Sequence, residues 1–229
     1  MNNTITIDFI GEASSGKTFI SKKLVEQLGD SCYLASNYKL KYTDFIKFFL
    51  IKPLFVMYVI IIVLDMKPKS MKLLIKSILK ILNYSIKHYI LSKKMKEIIV
   101  FDEGILHKFR QIRGMTKMKT NNYDGIIYRR LIFSYPDIVI LVAPPIDILI
   151  DRKIKRNAKH NKNFTVKSVK IKRKYEAWYN STIKTEHFIK SAQSEFGFIF
   201  FKIINNDNHA YKNDLDNIVI TIDKVKSTL

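Results

Sequence analysis

The residues Gly11 to Thr18, GEASSGKT, fit the spacing GxxxxGK[ST] and sit between an apolar run (Ile5, Ile7, Phe9, Ile10) and a helical pattern (Phe19, Ile20, Leu24, Val25, Leu28). A strand that ends in a tight Gly-rich turn and passes into a helix can curl its backbone N–H groups around a di- or triphosphate. The positive end of the helix then points at the same oxygens. Gly11 and Gly16 fall where the backbone must turn or approach an oxygen closely, and Ala13, Ser14 and Ser15 complete the cradle between them. Lys17 would reach the β- and γ-phosphates, and the Thr18 hydroxyl would bind Mg²⁺.

Two further groups could work on a phosphate held there. Asp102 and Glu103 end the apolar run of Glu97 to Gly104 (EIIVFDEG). Two acids at the tip of a core strand are costly to bury without a partner, and nucleotide-bound Mg²⁺ is the partner that the first motif suggests. Arg152 and Arg156 lie in DILIDRKIKR, a helical pattern behind the apolar run DIVILV (137–142) and Ala143-Pro144-Pro145. Phosphoryl transfer requires a phosphate cradle, Mg²⁺, cations around the γ-phosphate and a carboxylate that orients the nucleophile. Lys17, Thr18, Asp102 or Glu103, and Arg152 with Arg156 make up that set, with Thr18 and Asp102 as the metal-side ligands. The five histidines show no metal-ligand spacing, and of these only His107, close behind the acidic pair, invites mutation. Asp8, between Ile7 and Phe9, reads as a hydrogen-bonding partner of loop backbone and not as a catalytic group.

The elements that must position these residues follow from apolar periodicity. Ser31 to Ser36, Glu97 to Gly104, Asp137 to Val142 and Phe198 to Ile204 read as strands beside the first one. Helical patterns cover Met71 to Tyr89, Ile105 to Ile112, Tyr123 to Phe133, Asp147 to Arg156, about 166–195 and Asp214 to Lys226. The polar stretch from Asn157 to Thr165 reads as a mobile loop. Five apolar strands separated by helices imply parallel crossovers and a three-layer α/β/α sandwich around a five-stranded parallel sheet. The 229 residues suit one such domain (1–229) with a helical insertion at about 38–97 and a lid at about 152–172.

That insertion has a character of its own. From Lys39 to Lys96 only Asp44 and Asp65 are acidic, and lysines alternate with large apolar residues. Leu54 to Leu64 (LFVMYVIIIVL) is an unbroken apolar run too short to span a bilayer. Residues 45–64 therefore suit the core, a homodimer interface or a helix on a membrane surface, and Met71 to Tyr89 is basic and amphipathic. The formal charge of +20 predicts attraction to polyanions: phosphorylated substrates, an anionic membrane or, less in keeping with the aliphatic lysine-rich segments, nucleic acid. A single cysteine, Cys32, excludes an internal disulfide and a thiolate cluster. With a first strand beginning at Thr4 or Ile5 and no basic leader before it, the expected home is the cytoplasm, free or peripheral on the inner face of a membrane.

GEASSGKT, FDEG and LVAPPIDILIDRKIKR, in this order of elements, resemble the P-loop nucleoside and nucleotide kinases, thymidylate-kinase-like proteins in particular. The resemblance implies a nucleotide-kinase-like P-loop NTPase fold with ATP and Mg²⁺ as cofactors, GTP being an alternative donor. Lys17 and Thr18 match its phosphate and metal ligands, Asp102 its acid at the third strand, and Arg152 and Arg156 its lid arginines. Thymidylate kinases usually follow that acid with arginine, and here Glu103 stands in its place. Arg110 or Arg113, further along the next helix, could supply the acceptor-side charge. The expected function is phosphoryl transfer from ATP to a hydroxyl or phosphate of a small-molecule or lipid-linked acceptor. The alternatives are a hydrolase or switch, with Asp102-Glu103 as a Walker B pair, and a membrane-associated nucleotide-binding protein.

Overall fold

The computed structural model describes residues 4–65, 67–94, 97–108, 136–160, 197–206, 211–228 and scattered positions between 180 and 193. Five strands form one sheet: β1 (Ile5–Gly11), β2 (Cys32–Leu34), β3 (Ile98–Phe101), β4 (Ile138–Val142) and β5 (Ile199–Ile203), in the order β2-β3-β1-β4-β5. All four pairings are parallel, with Ile5 opposite Ile98 on one side of β1 and Gly11 opposite Val142 on the other. Every strand tip therefore points to the same end of the sheet, where a parallel open sheet binds its ligands.

Side-chain alternation sorts the strands into two apolar layers. Ile5, Ile7 and Phe9 of β1, with Ile98, Val100, Ile138, Ile140 and Val142, pack against α1 (Lys17–Leu28) and α6 (Tyr211–Thr228). On the other face Ile99, Phe101, Val139 and Leu141 meet the insertion. That insertion is three helices: α2 (Tyr42–Ile51), α3 (Pro53–Asp65) and α4 (Met71–Lys94). Pro53 opens α3, where its missing N–H costs nothing, and α2 and α3 meet at 98°. The apolar run of α3 is split between two environments: Val56, Val59, Ile62 and Val63 are buried in the core, while Leu54, Met57, Ile61 and Leu64 are exposed.

Two polar residues of β1 face the insertion and are matched by α4. Thr6 Oγ1 pairs with His88 Nε2 at 3.1 Å, and Tyr84 donates its hydroxyl to Asp8 Oδ1 at 3.1 Å. Residues two apart on a strand and four apart on a helix advance by about the same length, roughly 6–7 Å, so one helical turn serves both. Burial lowers the His88 pKa to about 4, which keeps the imidazole neutral between its neighbours.

Most elements lie where periodicity puts them, with shifts at the ends. Strand β2 is only three residues, between 3₁₀ turns at Gly29–Ser31 and Ala35–Asn37. Helix α4 runs past Tyr89 to Lys94. Helix α5 (Ile146–His160) continues through Asn157 to His160, which polarity marked as the start of a loop. Ala158 and Lys159 are good helix formers, and propensity of this kind extends a helix without any apolar residue. The rest of that loop, the pattern at Tyr123 to Phe133 and most of 166–195 lie outside the described residues.

Candidate functional site

The nucleotide loop is built by β1 and α1 with help from the far side of the sheet. Gly11 and Gly16 have φ of 153° and 94°, and Ser14 takes the left-handed region at 71°. A Cβ on Gly11 would stand 2.5 Å from the Val142 carbonyl oxygen, and one on Gly16 would collide with the side-chain amide of Asn205. Only glycine fits either place. Buried Lys17 folds back across the loop, donating from Nζ to the Gly11 and Glu12 carbonyls at 3.0 and 2.9 Å. The Ser15 carbonyl accepts from Asn205 Nδ2 at 2.9 Å and Arg152 Nη1 at 3.3 Å, so the turn after β5 and helix α5 pin the middle of the loop.

The loop's own donors suit a phosphate. The Ser14 and Ser15 hydroxyls are buried with no hydrogen-bond partner, an arrangement that costs free energy until an acceptor or donor arrives. Ser14 borders an open cavity of about 590 Å³ lined also by Ala13, Gly16, Lys17, Thr18, Glu103 and Arg156, among others. Thr18 is exposed at the first turn of α1, where a hydroxyl can reach a cation riding on a bound triphosphate. Among the described residues no group of three or more His, Cys, Asp or Glu is placed to hold a metal alone. A Mg²⁺ ion here would draw most of its ligands from nucleotide and water.

Asp102 and Glu103 form the turn that leaves β3, and the structure gives them different surroundings. Glu103 accepts from Lys108 Nζ at 2.5 Å, and its other oxygen stands 3.6 Å from His107 Nε2. Burial pushes its carboxyl pKa up, but the Lys108 hydrogen bond and charge, with His107 and Lys17 behind them, more than reverse this and hold it below the usual glutamate value. The acid therefore has protein partners that spacing alone did not supply. The cavity on the loop side includes Glu103; Asp102 lines a second cavity.

This second cavity, about 600 Å³, opens between the 3₁₀ turn after β2, the start of α2, the middle of α4 and the tip of β3. Its walls are aromatic at Tyr38, Phe45, Tyr84 and Phe101, and cationic at Lys39, Lys80, Lys87 and Lys108, with Asp102 and Glu103 at one end. Glu103 is thus common to both chambers. Lys87 donates to the Ala35 carbonyl at 3.0 Å. Burial lowers the pKa values of Lys80 and Lys87, and the Lys108 charge nearby adds to this for each.

Beneath the acidic turn lies Asp8. Its Oδ2 accepts from the Ile105 N–H at 2.7 Å, capping the helical turn at 105–108, and Gly104 presses directly on the carboxyl, leaving no room for a Cβ. A hydrogen bond to loop backbone is what its sequence setting implied. The partners Tyr84, Gly104 and Ile105 could not be read from spacing, since they lie 76 to 97 residues away. Asn205 was missed for the same reason, being 190 residues from Ser15. Arg152 and Arg156 both reach the loop side, Arg152 on the Ser15 carbonyl and Arg156 on the cavity wall. Arg110, Arg113 and the outer part of the expected lid lie outside the described residues.

A parallel sheet in this strand order, with a phosphate loop between β1 and α1 and an acidic turn after β3, has the fold of the P-loop nucleoside and nucleotide kinases. No family model and no curated protein matches the sequence. Among solved structures, deoxyadenosine kinase from M. mycoides with bound dATP aligns over 96% of this chain and 99% of that one, with 19% identity and a TM-score of 0.52. The same enzyme with products dCMP and a flexible dCDP bound aligns over 96% and 100%, with 19% identity and a TM-score of 0.50. Similarity at this level is similarity of fold.

Proposed function

We propose that the protein is an ATP- and Mg²⁺-dependent phosphotransferase whose acceptor combines a flat ring with an anionic group, such as a nucleoside monophosphate. The observation that carries this reading is the pair of chambers that share Glu103, one on the phosphate loop and one walled by rings and lysines. A hydrolase has no need of the second chamber. The four aromatic walls favour a ring-bearing acceptor over a lipid-linked one, and the four lysines on the wall, Lys39, Lys80, Lys87 and Lys108, favour a charged acceptor. The solved deoxyadenosine kinase structures contain a deoxynucleoside triphosphate in one case and a deoxynucleoside monophosphate product in another.

In this reading the loop N–H groups, Lys17 and the Ser14 and Ser15 hydroxyls hold the donor phosphates, and Arg156 approaches the transferring group from α5. The Thr18 hydroxyl would hold Mg²⁺, which neutralises charge on the β- and γ-phosphates. Asp102, on the acceptor side, orients the attacking oxygen. Glu103, kept ionised by Lys108, faces both chambers and fixes the distance between them. Lys80, Lys87 and Lys108 hold the acceptor's anionic group.

Transfer from γ-labelled ATP, with GTP in parallel, to a panel of nucleosides, nucleoside monophosphates and sugar phosphates tests this. Label should pass to a phosphorylated ring compound, with Lys17→Ala and Asp102→Asn each lowering kcat/KM by about 10²-fold or more. Label appearing only as free phosphate would mean hydrolysis. Equal transfer to uncharged nucleosides would remove the role given to the lysines.

A further inference from the structure

Of the sixteen large apolar side chains exposed among the described residues, twelve lie between Tyr42 and Leu79. They are ordered in stripes. On α3, Leu54, Met57, Ile61 and Leu64 recur every three or four residues and are 84, 57, 51 and 50% exposed. On α4, which packs against α3, Met71, Ile75 and Leu79 do the same one turn apart. The buried face of α3 is already satisfied by the core, so this outer apolar face is surplus to folding, and a helix on a water-facing surface carries polar residues there.

Charge identifies what covers it. Lys47, Lys52, Lys67, Lys69, Lys72 and Lys76 are all exposed on or between the same helices, and Asp44 and Asp65 are the only acids from Lys39 to Lys96. A second copy docked two-fold on this face would set one lysine cluster against another. A surface of opposite charge with an apolar layer just beneath it satisfies both features. The pair α2 and α3 has the length and composition of a span only when taken together, yet it is bent by 98°, and among the described residues no single helix is long and apolar enough to cross a membrane. Such helices lie in the interface plane, apolar stripe inward and lysines among the headgroups.

We propose that the outer face of α2, α3 and α4 docks the protein on an anionic lipid bilayer surface. This does not depend on the phosphotransfer reading, because none of the stripe residues lines either chamber. The test is sedimentation of the full chain with vesicles of phosphatidylcholine alone or mixed with phosphatidylserine. Binding is expected only with phosphatidylserine present and should weaken as salt is raised. Leu54→Glu/Ile61→Glu should abolish it, and Lys72→Gln/Lys76→Gln should weaken it about fivefold per lysine removed. All four positions are exposed, and circular dichroism checks that both variants fold. Lys17→Ala should bind vesicles like the unaltered chain. Failure to sediment with either vesicle, or equal binding to both, would overturn the proposal. So would a lipid-free dimer that Leu54→Glu/Ile61→Glu dissociates, since the face would then be an interface between copies.

Discussion

Asp8 carries a carboxyl into the fully buried centre of the sheet, and burial is the largest influence on it. Burial raises its pKa from 3.8 to about 7, against the lowering effect of the Ile105 N–H, the Tyr84 hydroxyl and the Lys108 charge. Below about pH 4 the carboxyl is protonated in both folded and unfolded chains. As pH rises, the unfolded chain ionises first, so folding stability falls from about pH 4 to pH 7 and levels off above that. The shift corresponds to about 4 kcal/mol. Asp8→Asn removes the ionisation and keeps an acceptor for Ile105. Its thermal midpoint, compared with the unaltered chain from pH 4 to 8, should gain on it steadily up to pH 7 and then run parallel. A difference constant across that range would mean that Asp8 titrates normally. Gly104 gives a second test of the same contact. Gly104→Ala puts a methyl group into the Asp8 carboxyl, and urea unfolding should show a loss of about 1–3 kcal/mol.

Helix α4 is the element that joins the insertion to the sheet. Tyr84 and His88 meet β1, and Ile81, Leu82 and Ile86 are buried in the layer that also holds Ile99, Phe101 and Leu141. Ile86→Ala should therefore cost about 2–5 kcal/mol and shift the unfolding of the whole domain in one transition. A separate early transition would show the insertion to be an independent unit. At this scale the sequence was readable wherever short-range pattern decides. The five strands follow from apolar runs, the loop from GEASSGKT and α4 from its spacing of three and four. Unreadable were matters settled by distant partners. The α3 run looks uniform, yet it has a core face and a solvent face because only one side packs on α4 and the core beneath it. Asn205 reads as a turn residue, and only the fold sets it on the Ser15 carbonyl. The acidic pair was legible as a site, but the different surroundings of its two members were not, because Glu103 takes Lys108 and His107 as partners.

The whole molecule shares one sheet between two apolar layers, so a ligand at the strand tips should stabilise everything built on that sheet. The loop is held ready by contacts from three directions: Lys17 within it, Arg152 of α5 and Asn205 after β5. A triphosphate would take over Lys17 and meet the unpartnered Ser14 and Ser15 hydroxyls, interactions that the unfolded chain cannot offer. Binding to the folded state alone stabilises it by about 2.7 kcal/mol when ligand is present at a hundred times its Kd. Thermal unfolding followed by circular dichroism should therefore move as a single transition to higher temperature as Mg²⁺ and ATP are added. The shift should grow with the logarithm of concentration and vanish in Lys17→Ala. Asp102→Asn should keep the shift, because Asp102 lines the second chamber and not the one on the loop. If Asp102→Asn lost it as fully as Lys17→Ala, the two chambers would form a single site, and the assignment of donor and acceptor sides to them would fail.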